Sequence, residues 1–509
     1  MRRPGLLQSV QGVISLHGKL EERAYAERSR RMAEEQRRLI ETAAPSSELG
    51  HGRLAGVEDA ERAGLLDPRG LFLGALHGRM LFFSGDGHLL TYARTGGGKG
   101  RDLILPNLAH VRDRSFVVID VKDGENAYAS HRHRGATLGQ PAIFLNPFGL
   151  QGLPNTRVNP FQTLIDTVKR GREIDTEADE IALILIPHGK GDEGDNGWVR
   201  KGARRLVSVS AEYLARFEPE RCRIGTVWSV VNSSSDDLRG FFGKMAGCGQ
   251  AGIAGRAHAL TSVFEDAPKQ FEAYRAEAID ALVSFEPGKT LERSTAAHDF
   301  DFSLLKREPC TVYLMAPSEK LGVVAPWISL VVNLIIEAVA RAPGRISTTF
   351  LLDEFPQLPP APAITKALRL YRGKGLNLWI FSQGRYSLEG RWSREMVREF
   401  EDQSAIFNTW SVEDQSLLKD ITLWSGQRTI RKRGISHGGG VVETAGANLG
   451  EMARPVLQAE DIRSISDRRQ IIRAAGYPYL FVAERIPWFD VDPWKHQLGD
   501  VRDLHRGEP

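Results

Sequence analysis

The sequence predicts an α/β fold built on a mostly parallel sheet, from three features. Apolar β-type runs end in carboxylates, a glycine-rich loop at 94–100 follows one such run, and helical stretches separate the runs. Ser115-Phe116-Val117-Val118-Ile119-Asp120 is apolar almost throughout and closed by an acid, as suits a strand covered on both faces. Residues 142–145, 311–314, 348–353 and 376–381 have the same character. Shorter runs at 71–73, 80–83 and 89–92 lead up to the glycine loop, after which a helix is expected from Lys99.

Between about 170 and 298 the β signal fades. Residues 174–186 and 198–217 carry apolar side chains at helical spacing, and 264–285 continues in helical character, which predicts a helical domain inserted into the α/β core. The segments 187–197 and 437–441 read as loops by composition, the second beside the basic cluster Arg428, Arg431, Lys432 and Arg433. Ahead of the core, residues 17–43 read as one exposed charged helix with i,i+4 pairs such as Glu27 with Arg31.

Composition bounds the function classes. With 509 residues, 41% hydrophobic and 26% charged, the chain reads as a soluble protein of more than one domain. Its 67 basic and 64 acidic residues give a net charge of +3, so nucleic-acid contact would have to come from local patches. Cys222, Cys248 and Cys310 have no metal-ligand spacing and read as reduced cytosolic thiols. No signal peptide is expected. No apolar run approaches the roughly 18 residues of a membrane span, and 330–340, broken by Asn333 and Glu337, reads as a buried helix.

The glycine loop carries the first chemistry. Arg94, Thr95, Gly96, Gly97, Gly98, Lys99, Gly100 and Arg101 supply small residues whose N–H groups can wrap a phosphate. They also supply a lysine for the β- and γ-phosphates and the start of a helix. Ala93 replaces the first glycine of the usual pattern, and Gly100 stands where Ser or Thr usually helps hold magnesium. The run 350–355 adds Asp353, a candidate Mg²⁺ carboxylate, and Glu354, a candidate activator of the attacking water. Gln383 follows another apolar run and is expected to reach the γ-phosphate. Arg372, in a basic loop before that run, is a candidate finger entering a neighbouring subunit's site. Together these predict ATP hydrolysis with Mg²⁺.

In this order the motifs resemble those of type IV secretion coupling proteins, the TraG/TraD group of conjugative DNA-transfer ATPases. The resemblance runs over roughly 50–493. It rests on 95–100 with 104–108, on 118–122 with 124–126, on 146–148 and 159–160, on 351–355, on 372–383, and on 454–457 with Ile462-Arg463. It implies a RecA-like motor domain, a ring of six around a DNA channel, and the roles already given to Lys99, Asp353, Glu354, Gln383 and Arg372. GKG is common at the loop in that family. Asp123, inserted after Lys122, departs from the family's spacing, so no role is carried over to Lys122. Most members begin with two membrane-spanning helices, where this chain has a charged helix.

The resulting expectation is an N-terminal extension at 1–48, a nucleotide-binding domain at 49–170 and 299–495, an inserted all-α domain at 171–298, and a tail at 496–509. Function is expected to be sequence-independent DNA translocation by a homo-hexamer. Its partners would be relaxase or effector cargo and membrane-anchored type IV secretion components, reached from the cytoplasm. Arg428, Arg431, Lys432, Arg433 and the 187–197 loop are candidate DNA grips, and the helical domain is the part implied to face the cargo. The alternatives are an effector-export receptor ATPase and a nucleotide-binding docking scaffold with little turnover.

Overall fold

A computed structural model describes residues 48–188, 197–437 and 445–501, with scattered positions between 23 and 38; of 431–450 it describes the backbone alone. The chain divides into two compact units, Leu54–Trp424 with Leu457–Pro509, and Met1–Arg53 with Ser425–Val456. The strands in chain order are β1 (Leu71–Leu76), β2 (Arg79–Phe83), β3 (His88–Tyr92), β4 (Ser115–Asp120), β5 (Ala142–Leu145), β6 (Thr311–Met315) and β7 (Thr348–Leu352). They continue with β8 (Leu376–Ser382), β9 (Ser404–Thr409), β10 (Gln427–His437), β11 (Ala445–Pro455), β12 (Arg469–Ala474) and β13 (Phe481–Glu484).

In the larger unit eleven strands form one sheet in the order β2-β1-β13-β12-β9-β3-β8-β7-β4-β6-β5. From β9 through β5 every neighbouring pair is parallel, and from β9 back to β2 every pair is antiparallel. Every residue of β3, β4, β6, β7 and β8 is buried, the physical reason these strands read as near-continuous apolar runs. All eight strands expected from the sequence are present, but the antiparallel half contributes β9, β12 and β13, which were not expected.

Among the described residues no strand falls between β5 and β6. That interval instead holds helices such as Asp175–Leu185, Gly197–Phe217, Ala251–Asp266 and Pro268–Leu282. The mostly parallel α/β core with an inserted helical part is thus the architecture observed. Leu321–Arg341 corrects one expectation. It is 21 residues long, and with the preceding turn it is apolar enough to cross a membrane by length and composition; 83% of its most apolar window is buried in this fold. Burial under the sheet, rather than brevity, accounts for its composition.

In the smaller unit β10 and β11 pair antiparallel from Gln427↔Pro455 to His437↔Ala445, and His51 bridges to Arg428. This places the basic cluster of 428–433 on a strand, and His437 closes that strand instead of opening a loop. Residues 438–441, the side chains of Arg431, Lys432 and Arg433, and most of the 187–197 segment lie outside the described residues. The described positions between 23 and 38 are helical and exposed.

Candidate functional site

Four adjacent strands end on the same edge of the sheet in the order β4, β7, β8, β3. Their parallel registers (Val118↔Leu351, Leu352↔Ile380, Tyr92↔Ser382) align these ends. The residue following each end is where α/β sheets collect their chemistry. β3 leads into the glycine loop, β8 into Gln383, β7 into Asp353 and Glu354, and β4 into Lys122.

The loop turns tightly: the Gly97 N–H bonds the Arg94 carbonyl at 2.9 Å, and Gly96 and Gly98 hold φ of +70° and +88°. A Cβ at Gly98 would lie 2.8 Å from Arg101 Nη2 and from Asp102 Oδ2, so this position requires glycine. The expected helix begins at Lys99, but Gly100–Ile104 is π-helical before the α-helix Leu105–His110, an irregularity frequent at functional sites. Lys99 is buried, and its ammonium donates to the Ala93 carbonyl at 3.1 Å. Burial lowers its pKa below the usual lysine value, against the pull of the Asp353 and Glu354 charges.

Side chains absent from the sequence-based site support the loop from behind. Trp410 Nε1 donates to the Gly97 carbonyl at 2.8 Å, and the Arg485 guanidinium stacks 4.5 Å from the centre of the Trp410 ring. Asp102 is buried and receives Arg485 at 2.7 and 2.9 Å, as well as Arg101. Arg94, Thr95, Gly96, Gly97 and Arg101 line one side of a cavity of about 880 Å³, with Arg468, Arg469 and Phe489 on other walls.

Across the site, Gln383 Nε2 donates to Glu354 Oε2 at 3.2 Å. Glu354 adopts φ +49°, the left-handed region that costs a non-glycine residue about 1–2 kcal/mol, and its N–H bonds Asp353 Oδ1 at 3.1 Å. Asp353 is 4% exposed at its side chain. Lys122, left without a role by the sequence, has its Nζ 3.1 Å from Asp353 Oδ2 and 3.3 Å from Glu354 Oε1. The signal that could have found it is its place two residues beyond the β4 carboxylate, beside β7 in a parallel register. Burial works against the Lys122 charge, but the Asp353 and Glu354 charges outweigh it and raise its pKa.

Arg372 lies elsewhere. It is exposed in the short turn Arg372–Lys374 before β8, at the sheet edge opposite Gln383. The seven residues of β8 separate the two ends by about 23 Å at roughly 3.3 Å per residue.

Two carboxylates alone do not make a metal cage, and among the described residues no cluster of three His, Cys, Asp or Glu side chains could hold a metal ion. Asp353 and Glu354 fit instead a Mg²⁺ that keeps several waters and takes its other ligands from phosphate. The positive-φ glycines and the buried lysine fit the phosphates themselves.

Comparison with known proteins agrees with this fold. VirD4 of Agrobacterium fabrum is 25% identical over 448 residues, covering 85% of this chain and 64% of its own length. The conjugal transfer protein TraG of Escherichia coli is 23% identical, covering 87% of this chain and 77% of its own. The chain therefore spans less than two thirds of the length of the VirD4 relatives it matches. The bacterial conjugative coupling protein TrwBdeltaN70 shares the fold with a TM-score of 0.65 at 18% identity, over 87% of this chain and 95% of its own. TrwB has been solved with the ATP analogue ADPNP and with ADP and Mg²⁺. The profile described as Type IV secretory system Conjugative DNA transfer matches residues 53–506, and the chain belongs to that family.

Proposed function

We propose that this chain is an ATP-driven DNA translocase, acting as the coupling protein of a conjugative type IV secretion system. The observation that carries the proposal is the convergence of the glycine loop, Gln383, Asp353 with Glu354, and Lys122 on four neighbouring strand ends. Lys99 and the loop N–H groups hold the β- and γ-phosphates. Asp353 orients the shell of a bound Mg²⁺, which would offset the charge developing on the transferred phosphoryl group. Glu354 takes a proton from the attacking water, and Gln383, already bonded to Glu354, senses the γ-phosphate. Arg372 completes the site of the next subunit in a homo-hexamer, a role supported by its distance from its own Gln383. The ring would grip DNA phosphates without regard to sequence. It would work on the cytoplasmic face with relaxase or effector cargo and membrane-anchored secretion components.

A second reading, a nucleotide-binding scaffold with little turnover, is supported by Ala93 and Gly100 together, which stand where the general phosphate-loop pattern has its first glycine and the hydroxyl ligand of Mg²⁺. One experiment separates the two. ATP hydrolysis is measured with and without DNA, in the parent and in Lys99→Ala and Glu354→Gln. DNA-stimulated turnover lost in both variants supports the motor; no turnover in the parent under any condition sinks it.

A further inference from the structure

Lys122 reaches its position by an unusual turn. After β4, Asp123 adopts φ +55° and Gly124 φ +81°. A Cβ at Gly124 would lie 2.5 Å from Met315 Cε. The Asp123 carboxylate accepts the Ser318 N–H at 3.2 Å and its hydroxyl at 2.9 Å, and the Asp123 carbonyl accepts Gln151 Nε2 at 2.8 Å. The inserted Asp123 is therefore what anchors this turn to the chain after β6, and the turn aims Lys122 at the end of β7.

The two partners differ in freedom. The Asp353 side chain is 4% exposed, while that of Lys122 is 40% exposed on a flexible four-carbon stem. A divalent cation taken up by the same carboxylate oxygens would face the ammonium at close range, and like charges there exclude one another. Of the two, only the ammonium has solvent to move into.

We propose that Lys122 is a displaceable counter-ion of the Asp353–Glu354 pair, occupying both carboxylates in the nucleotide-free site and leaving when a divalent cation takes its place. The proposal rests on the reading of Asp353 as the metal carboxylate. Its consequence is a positioning role: Lys122 keeps Glu354 Oε1 engaged until the metal–nucleotide complex arrives, so the general base is released only in a loaded site.

The test titrates Mn²⁺ alone into the full nucleotide-free chain and follows free Mn²⁺ by electron paramagnetic resonance. Lys122→Met keeps the length and removes the charge; it is expected to bind Mn²⁺ at least about tenfold more tightly than the parent. Lys122→Arg keeps a cation and is expected to stay near the parent value. Equal affinity in the parent and Lys122→Met, or detectable binding in neither, overturns the counter-ion. A second titration with a non-hydrolysable ATP analogue compares the parent with Asp353→Asn. Loss of Mn²⁺ there with no gain in Lys122→Met removes only the counter-ion, whereas unchanged affinity in Asp353→Asn removes the metal carboxylate itself.

Discussion

Gln383 Nε2 and Glu354 Oε2 meet at 3.2 Å, joining the ends of β8 and β7 through their side chains. The strands align in register, so the contact follows from the sheet as well as from the two residues. Glu354 holds it from a left-handed backbone.

If Glu354 is the general base, Glu354→Gln removes the proton acceptor while keeping the shape. Turnover should fall by about 10²- to 10⁴-fold with nucleotide affinity nearly unchanged. Single-turnover hydrolysis and equilibrium binding of a labelled nucleotide check both halves. A variant that hydrolyses within a factor of about three of the parent would remove Glu354 from the chemistry.

The loop glycines are not equivalent. Gly98→Ala forces a Cβ onto Arg101 and Asp102 at φ +88°, and should cost about 1–2 kcal/mol of stability together with a loss of nucleotide affinity. Gly100 lies in a helical turn with open space around its Cβ direction, so Gly100→Ser should leave stability equal or slightly higher, by up to about 0.5 kcal/mol. Denaturant melts of the two variants, with nucleotide titrations, give the comparison. The reverse order of stability would mean that the loop adopts another conformation.

The parallel half of the sheet was legible because burial on both faces leaves little but apolar residues. In the antiparallel half β9 and β12 were not, because they bury polar side chains that pair with one another. Asn408 in β9 donates to Gln470 in β12 at 2.9 Å and accepts from Thr91 in β3 at 2.5 Å, and Gln470 donates to the Leu73 carbonyl of β1 at 2.5 Å. In sequence such residues read as loop; in space they satisfy each other across four strands. The site divides in the same way. Asp353, Glu354 and Gln383 announce themselves as polar residues closing apolar runs. Arg385, which holds Glu401 through two bonds of 2.8 Å and Asp420 through one of 2.6 Å, joins residues up to 35 positions apart, and no local pattern marks it. Through Tyr92, which donates to Glu401 at 2.9 Å, that network ties the segment after Gln383 to the residue before the glycine loop's Ala93.

Arg372 on the far side of β8 predicts complementation between subunits. Arg372→Ala and Glu354→Gln should each be inactive alone, an arginine finger being worth about 10³- to 10⁵-fold. Mixed assemblies should recover activity wherever an intact Glu354 meets an intact Arg372 from a neighbour. Full activity of Arg372→Ala by itself, or no recovery on mixing, would exclude a finger in trans.

His88 predicts how the fold responds to acid. It opens β3, is 2% exposed, and its Nδ1 accepts the Leu378 N–H at 3.0 Å, which requires that nitrogen to be unprotonated. Burial, with the Arg372 charge acting in the same direction, pushes its pKa from 6.5 down to about 4. Well above pH 6.5 the ring is neutral in both folded and unfolded chains and contributes no pH dependence. As the pH falls toward 4, the unfolded chain takes up a proton that the native ring refuses, so stability is lost across that window by about 3 kcal/mol in all. Between pH 7 and 5 the loss from this group should be about 2 kcal/mol. Urea melts at the two pH values, in the parent and in His88→Gln, isolate it, since other titrating groups cancel in the difference. The variant should lose about 2 kcal/mol less than the parent on acidification; equal losses would mean that the His88 ring takes up its proton as readily in the folded chain as in the unfolded one.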